Sequence, residues 1–184
     1  RISEQWAREQ IEKYGRDNPW VLVNVFGRFP PSSLNALLGP DDVNEAAQRH
    51  LREDQYMFAA KVLGVDVARF GDDRTVIFPR QGVVAFKPVE MRNARTHDIA
   101  ARVAQAADKW QADAIFVDDT GGFGAGTIDS LLQLGYPVIT ANFSGRATDP
   151  RYFNRRAEMH FTLADWIKQG GAIPNVPELI GELT

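Results

Sequence analysis

Residues 61–78, KVLGVDVARFGDDRTVIF, place the strongest constraint on what this chain can fold into. The pattern predicts a buried β-strand that carries Asp66, a tight turn that contains Asp72 and Asp73, and a second strand that runs back beside the first. A carboxylate within an apolar strand costs free energy unless its charge is compensated. Because a divalent cation compensates several acids at one edge of a sheet most easily, this stretch raises the question of whether the acids form a metal site.

Composition limits which metal such a site would hold. The 184 residues include no cysteine and three scattered histidines, so thiolate sites are excluded and the ligands must be mainly oxygen atoms. Oxygen ligands favour Mg²⁺ or Mn²⁺. The chain is 44% hydrophobic and 24% charged, which is typical of one well-packed domain and leaves room for an appended segment.

Hydropathy and charge narrow the class of protein. No apolar run approaches the roughly 18–20 residues that span a bilayer, and no secretion signal is visible, so we expect a cytosolic protein without a membrane partner. The net charge of −3 argues weakly against nucleic-acid binding, although a total charge hides local basic patches.

Residues 1–56 are predicted to form a segment of helices and linker ahead of the core domain. We expect one helix over residues 2–14 and another from Pro40 to about Glu53, each with a capping residue at its start. Residues 15–40 are linker-like, because a pair of prolines in them excludes helix and central strand alike. Since the chain starts with Arg and stops inside an apparent helix, we expect it to be a piece of a longer protein.

The core domain, residues 57–184, is predicted to be a mixed α/β sheet flanked by helices. Three antiparallel strands come first and parallel strands, reached through right-handed crossovers, follow. After the two opening strands, the expected elements are a strand over Val83–Lys87, a helix from Thr96 or Asp98 to Trp110, a strand over 112–120, a helix over 127–134, a strand over 137–142 and a helix from about Arg151 to Lys168.

The predicted strand order brings two acids together. The first and fourth strands lie next to one another, so Asp66 and Asp118 would meet at the same edge of the sheet. Such a pair suits two metal ions and phosphodiester hydrolysis, in which one ion lowers the pKa of an attacking water and the other stabilises the leaving oxygen. The alternative is that Asp66 is a hydrogen-bonded structural acid and that Asp118 and Asp119 are turn or cap residues.

Two motifs in this strand context resemble a known family. Residues 64–75, GVDVARFGDDRT, and residues 117–126, VDDTGGFGAG, are similar to the nuclease domain of tailed-bacteriophage terminase large subunits and to the broader RNase H-like (RuvC-type) superfamily. The segment from Asn18 to Pro31 resembles the stretch that joins the ATPase motor to the nuclease in these proteins. The resemblance covers most of the chain.

The resemblance implies an RNase H-like fold and a Mg²⁺- or Mn²⁺-dependent endonuclease that cuts duplex viral DNA concatemers during genome packaging with two ions. It also implies that Asp66 and Asp118 are catalytic metal ligands and that Asp72 is an auxiliary acid. Asp119 is the weaker ligand candidate, because its side chain should point to the opposite face from that of Asp118. A further metal-binding acid of the family is expected beyond Thr184, so the core domain would be truncated at its C-terminus.

The same resemblance implies partners: double-stranded DNA, an ATPase motor domain in cis, the portal and the small terminase subunit, in the cytoplasm of an infected bacterial host. This chain contains no Walker-type phosphate loop, so it cannot itself be the motor. The glycine run 121–126 does not fit the spacing of a dinucleotide-binding loop, and we expect it to let the backbone approach DNA or metal closely.

Basic residues for DNA contact cluster after the fifth strand. Arginine at a helix start is unfavourable for the helix dipole, which makes a purely structural role less natural there. The flanks of the acid turn offer two more arginines, which could instead balance local carboxylates. The candidates are Arg146, Arg151, Arg155 and Arg156 in the cluster, and Arg69 and Arg74 at the turn.

Two other functions stay open from the sequence. An actin-like nucleotide-binding domain also opens with a strand, an acid and a hairpin, but it needs further phosphate and adenosine loops that this chain does not supply. A catalytically weak module of the same fold could instead only dock on DNA or on the portal.

Overall fold

The structure is a computed structural model that describes residues 4–16, 19–27, 36–68 and 73–184. Asp72 and Arg69 therefore lie outside the described residues. The N-terminal segment contains helices α1 (Glu4–Tyr14), α2 (Pro19–Asn24) and α3 (Pro40–Gln48). The first helix was predicted, whereas α2 corrects the expectation that residues 15–40 are all linker.

Helix α3 ends five residues earlier than predicted. Arg49 leaves the helix with extended backbone angles, φ −74° and ψ 118°, and its guanidinium donates to the Ile167 carbonyl in the last turn of a distant helix instead. A single 3₁₀ turn, Glu53–Gln55, then leads toward the sheet. The tertiary contact of Arg49 thus overrides the helical periodicity.

The sheet contains the strands β1 (Lys61–Asp66), β2 (Arg74–Gln81), β3 (Val84–Ala85), β4 (Val89–Arg92), β5 (Ala114–Asp118) and β6 (Val138–Ala141). Its order is β3-β2-β1-β5-β6, and β4 also pairs with β2. Strands β1 and β2 are antiparallel, as are β3 and β4 with β2, whereas β1, β5 and β6 are parallel. The predicted mixed sheet is confirmed.

One strand prediction was wrong. The stretch expected to form a single third strand over Val83–Lys87 forms the two-residue β3, and a separate strand β4 follows. Pro88 lies between the two strands, and since proline has no N–H to donate to a ladder, the pairing breaks there.

Four helices complete the core: α4 (Thr96–Trp110), α5 (Ala125–Gln133), α6 (Arg155–Lys168) and α7 (Pro177–Leu183). Helix α6 begins four residues later than predicted, because the Asn154 side chain caps it by accepting a hydrogen bond from the Ala157 N–H at 2.8 Å. No helix among the described residues is long and apolar enough to cross a membrane.

The main core lies between one face of the sheet and helices α4 and α5. Leu63 and Val65 of β1 and Ile115 and Val117 of β5 are buried there together with apolar residues of both helices. Because side chains alternate along a strand, the residues between and after them face the other side of the sheet. Asp66 and Asp118 therefore lie on the face opposite the main core.

A second core joins the N-terminal segment to the C-terminal helices. Val43 and Ala46 of α3 are fully buried against Ile167 of α6. The Arg49 guanidinium donates to the Gly171 carbonyl at 2.7 Å and to the Ile167 carbonyl at 3.2 Å. Helix α3 thus packs on the core domain, and the domain boundary at residue 57 stays a prediction.

Candidate metal centre

Strands β1 and β5 carry the two acids of the candidate metal centre. Val65 lies opposite Val117 in the parallel register, so Asp66 and Asp118 end neighbouring strands at the same edge of the sheet. The predicted adjacency of these two strands is confirmed. Strand β6 continues the edge, since Asp118 pairs in register with Ala141.

Electrostatics at this edge leave negative charge uncompensated. The pKa of Asp66 is raised above that of an ordinary aspartate, chiefly because its surroundings remove hydration from the carboxylate. The negative charges of Asp118 and Asp73 raise it further. The edge is thus short of positive charge, which is the environment that a divalent cation stabilises.

The two acids open into a cleft of about 820 Å³ between the sheet and helix α7. The acids that line this cleft beside Asp66 and Asp118 were not among the site residues predicted from the sequence. Asp73 was visible in the opening turn, but the rest come from β4 and α7, and no motif marks them. The acids that line the cleft are Asp66, Asp73, Glu90, Asp118, Glu178 and Glu182.

The Asp118 carboxylate is oriented by its own turn. Its Oδ1 atom accepts a hydrogen bond from the Thr120 N–H at 2.7 Å. The Thr120 hydroxyl in turn accepts from the Phe143 N–H at 3.0 Å, which ties this turn to the segment after β6. This hydrogen bond fixes the orientation of the Asp118 carboxylate relative to the turn.

Asp119 occupies a different environment. Its backbone N–H donates to the Ala141 carbonyl at 2.9 Å, and the residue is not part of the lining of the cleft. Its Oδ1 atom is buried and has no hydrogen-bond partner within the described part of the chain. This placement agrees with the expectation that Asp119 faces away from Asp118.

The side chains of the cleft offer the type of ligand atom that a hard divalent cation prefers, but too few of those that the structure describes converge on one point to hold the ion. The acids that line the cleft offer carboxylate oxygens, which suit Mg²⁺ and Mn²⁺, and the charge around Asp66 is unbalanced. Among residues 4–16, 19–27, 36–68 and 73–184, no three acids or histidines converge closely enough to hold a metal ion. The auxiliary acid Asp72 lies outside that set.

Three of the five predicted DNA-binding arginines that the structure describes have acidic partners. Arg74 pairs with Glu90 at 2.6 Å across the sheet, which is the charge balance that the sequence left as an alternative. Arg151 pairs with Asp149 at 2.6 Å, and Arg155 pairs with Glu158 at 3.0 Å.

Two arginines of the cluster are different. Arg146 and Arg156 are exposed and take part in no ion pair with the described residues. They are the members of the cluster whose charge is available to a phosphate. Arg69 lies outside the described residues.

Part of the glycine run packs against the main chain of Asp118. Gly121 and Gly122 adopt left-handed φ angles of 81° and 79°, which favour glycine. Gly124 has an ordinary φ of −80°, but a Cβ atom built on it would lie 2.2 Å from the Asp118 carbonyl oxygen. The structure thus shows a close approach of Gly124 to the main chain of Asp118, whereas the expected approach of this run to DNA or metal stays a prediction.

The chain is similar in sequence to a known protein and similar in fold to several solved structures. No protein-family model matches the chain. A probable terminase large subunit of Enterobacteria phage P7 is 26% identical over 189 residues, which is 92% of this chain. The chain spans 37% of the length of that relative.

Solved structures of terminase nuclease domains share the fold. The nuclease domain of the large terminase subunit gp2 of bacterial virus Sf6 superposes with a TM-score of 0.65 at 18% identity, over 81% of each chain. A mutant of that domain with manganese and beta-thujaplicinol gives 0.66 at 19% identity, again over 81% of each. The large terminase nuclease of thermophilic phage G20c with bound zinc gives 0.55 at 17% identity, over 69% of this chain and 70% of that one. The resemblance inferred from the sequence is therefore confirmed: the chain has the RNase H-like fold of terminase nuclease domains and is similar in sequence to a terminase large subunit.

Proposed function

We propose that this chain is a divalent-metal-dependent endodeoxyribonuclease that cuts duplex viral DNA concatemers during genome packaging. The observation that carries the proposal is the pair Asp66 and Asp118, which end adjacent parallel strands and open into one acidic cleft with unbalanced charge. The fold shared with terminase nuclease domains supports the same activity.

The chemistry supplied by two Mg²⁺ or Mn²⁺ ions is the activation of a water and the stabilisation of the leaving oxygen. Asp66 would be one ligand of these ions, and its pKa is raised chiefly by desolvation and then by the charges of Asp118 and Asp73. Asp118 would be a second ligand, and the Thr120 N–H holds its Oδ1 atom. Asp72 would assist as an auxiliary acid, and Asp119 stays the weaker ligand candidate.

The proposed substrate is double-stranded DNA, and the proposed cellular setting is the cytoplasm of an infected bacterial host. The ATPase motor in cis, the portal and the small terminase subunit are proposed partners. The relative in phage P7 supports this setting, because it is a probable terminase large subunit of which the chain spans one part. Arg146 and Arg156 are the proposed phosphate contacts.

Cleavage of supercoiled plasmid with Mn²⁺ tests the activity. Wild type should nick and linearise the plasmid, whereas Asp66→Ala and Asp118→Ala should not, because each loses a ligand of the proposed ions. Asp129→Ala is the matched control: Asp129 is an exposed acid on α5 outside the lining of the cleft. Equal nicking by wild type and both site variants would refute the site.

The rival functions have their own outcomes. DNA binding without cleavage by wild type at saturating Mn²⁺ would favour the docking module, and tight ATP binding would favour the actin-like domain.

Salt-dependent DNA binding tests the phosphate contacts. Arg156→Ala and Arg146→Ala should each weaken binding to all sequences equally and reduce the slope of log K against log [salt] by about one, because each removes one phosphate contact. The control is Arg8→Ala, which removes an exposed charge from α1. An unchanged slope in both variants would exclude these residues as contacts.

A further inference from the structure

We propose that Gly124 is a positioning residue for the metal centre: its missing side chain lets the start of helix α5 press against the Asp118 main chain and so sets the Asp118 carboxylate. The inference rests on the proposed function, since it assigns a role to Gly124 in that same site. Its physical basis is a close backbone approach and does not involve an unusual backbone angle.

The contact itself leaves no room for a side chain. A Cβ atom on Gly124 would lie 2.2 Å from the Asp118 carbonyl oxygen, 3.0 Å from its carbonyl carbon and 3.3 Å from the Asp119 Cα. All three are backbone atoms, so no side chain can rotate away to relieve the clash. Gly124 is also buried.

Neither partner in this contact can move freely. Helix α5 is anchored in the main core by Ile128 and by Leu131, which is fully buried. On the other side, Asp118 ends a central strand that is paired with neighbours on both sides. A methyl group at position 124 must therefore displace the helix start, the strand end or both.

The displacement would reach the carboxylate through a short path. The Thr120 N–H that holds Asp118 Oδ1 lies in the same turn, and the Gly122 N–H donates to the Asp119 carbonyl at 3.1 Å. A shift of the Asp118 carbonyl therefore also moves the backbone between Asp118 and Thr120, and with it the N–H group that holds the Asp118 carboxylate. Metal ligands must be placed within a fraction of an ångström, so such a shift should weaken ion binding.

Gly126 provides a matched control in the same helix. A Cβ atom there would lie 2.9 Å from the Thr96 Cγ2 atom and 4.0 Å from the Thr96 Cβ atom, and rotation of the Thr96 side chain about χ1 can relieve the closer contact. Gly126→Ala therefore makes the same chemical change two residues away without touching Asp118. Ile128→Val is a second control, because it destabilises the packing of α5 without adding bulk near the acid.

The experiment measures the rise in melting temperature that saturating Mn²⁺ produces over EDTA, for each variant separately. A purely structural defect lowers both melting temperatures and leaves the rise intact, whereas a misplaced ligand removes the rise. We expect Gly124→Ala to lose most of the rise and to bind Mn²⁺ at least about tenfold more weakly by calorimetry. Gly126→Ala and Ile128→Val should keep both. If Gly124→Ala is unfolded in dilute buffer, the comparison is made in concentrated sucrose, which favours the compact state.

The outcomes separate this inference from the proposed function. A wild type that shows no rise with Mn²⁺ contradicts the proposed metal centre itself. A wild type that shows the rise, together with a Gly124→Ala variant that shows the same rise and the same affinity, overturns only the role of Gly124. An equal loss in Gly126→Ala would also overturn it, because the effect would then belong to the helix as a whole.

Discussion

Replacing Asp66 by Asn should stabilise the metal-free protein at neutral pH while it abolishes cleavage. The pKa of Asp66 is raised in the folded state, chiefly by burial and then by the charges of Asp118 and Asp73. A raised carboxylate pKa means that the folded state binds its proton more tightly than the unfolded chain does. Folding therefore loses stability as pH rises from the ordinary aspartate pKa, about 3.9, through the raised value.

The size of the repulsive part of the effect follows from the strand geometry. Neighbouring strands lie about 4.8 Å apart, and two unit charges at that separation repel by roughly 1 to 3.5 kcal/mol between the dielectric of water and an effective value of 20. Asp66 is open to the cleft, so solvent screening keeps the value near the lower limit, about 1 kcal/mol. For a chain of this length, that amounts to roughly 2–4 °C in melting temperature.

Thermal unfolding in EDTA measures this difference directly. At pH 7 Asp66→Asn should melt above wild type, and near the ordinary aspartate pKa of about 3.9 the difference should shrink, because the wild-type carboxyl group is then protonated. Saturating Mn²⁺ should reverse the order, since at about 100 times its dissociation constant a bound ion adds about 2.7 kcal/mol to wild type alone. Asp129→Asn on α5, which removes an exposed acid, should follow wild type throughout.

Two results would refute the reasoning. If Asp66→Asn melts below wild type in EDTA at pH 7, Asp66 is a hydrogen-bonded structural acid, as the alternative interpretation of the sequence holds. If both proteins gain equally from Mn²⁺, the ion binds somewhere other than at Asp66.

Three further predictions concern the scaffold. Arg49→Met should destabilise the protein by about 2 kcal/mol, because the Gly171 carbonyl loses a charged donor at 2.7 Å. Denaturant unfolding measures the loss, and an unchanged midpoint would show that the Arg49 hydrogen bonds do not stabilise the fold. Thr127→Val should leave the free energy of unfolding unchanged or raise it by up to about 1 kcal/mol, because the buried Thr127 hydroxyl has no partner among the described residues. A clear loss of melting temperature would instead reveal a partner such as a bound water. Glu158→Gln should lower the melting temperature at neutral pH and lower it less in acid. Main-chain donors and Arg155 hold the pKa of the Glu158 carboxyl below its usual range, so its stabilising effect disappears as pH falls. A melting-temperature difference that does not depend on pH would contradict this assignment.

Strand order and the central acid pair could be predicted because both depend on local pattern and simple topology. The alternation around Asp66 and the apolar run before Asp118 identify two strands, and the crossover rule makes them parallel neighbours. The details that failed depend on tertiary contacts or on single residues. Helix α3 ends early because Arg49 bonds to a distant helix, and the third strand divides where Pro88 interrupts the ladder.

The predicted arginine cluster shows the limit of charge counting. From the sequence, Arg151 and Arg155 look the same as Arg146 and Arg156, because all four are basic residues in one short stretch. Both partners lie close by in the chain, since Asp149 comes two residues before Arg151 and Glu158 comes three residues after Arg155. Only the structure shows that Glu158 pairs with Arg155 and not with the adjacent Arg156.

The sequence by itself determined the fold class and the adjacency of Asp66 and Asp118. The reason is that the alternation of side chains and the order of the elements along the chain can be read without knowing how the helices pack. Only the tertiary structure decided what surrounds those acids. Glu178 and Glu182 reach the cleft from a helix more than fifty residues away from Asp118, and Gly124 is required by a backbone contact that no motif reports. Both depend on how helices pack across the sheet, and packing is set by the shapes of many side chains together.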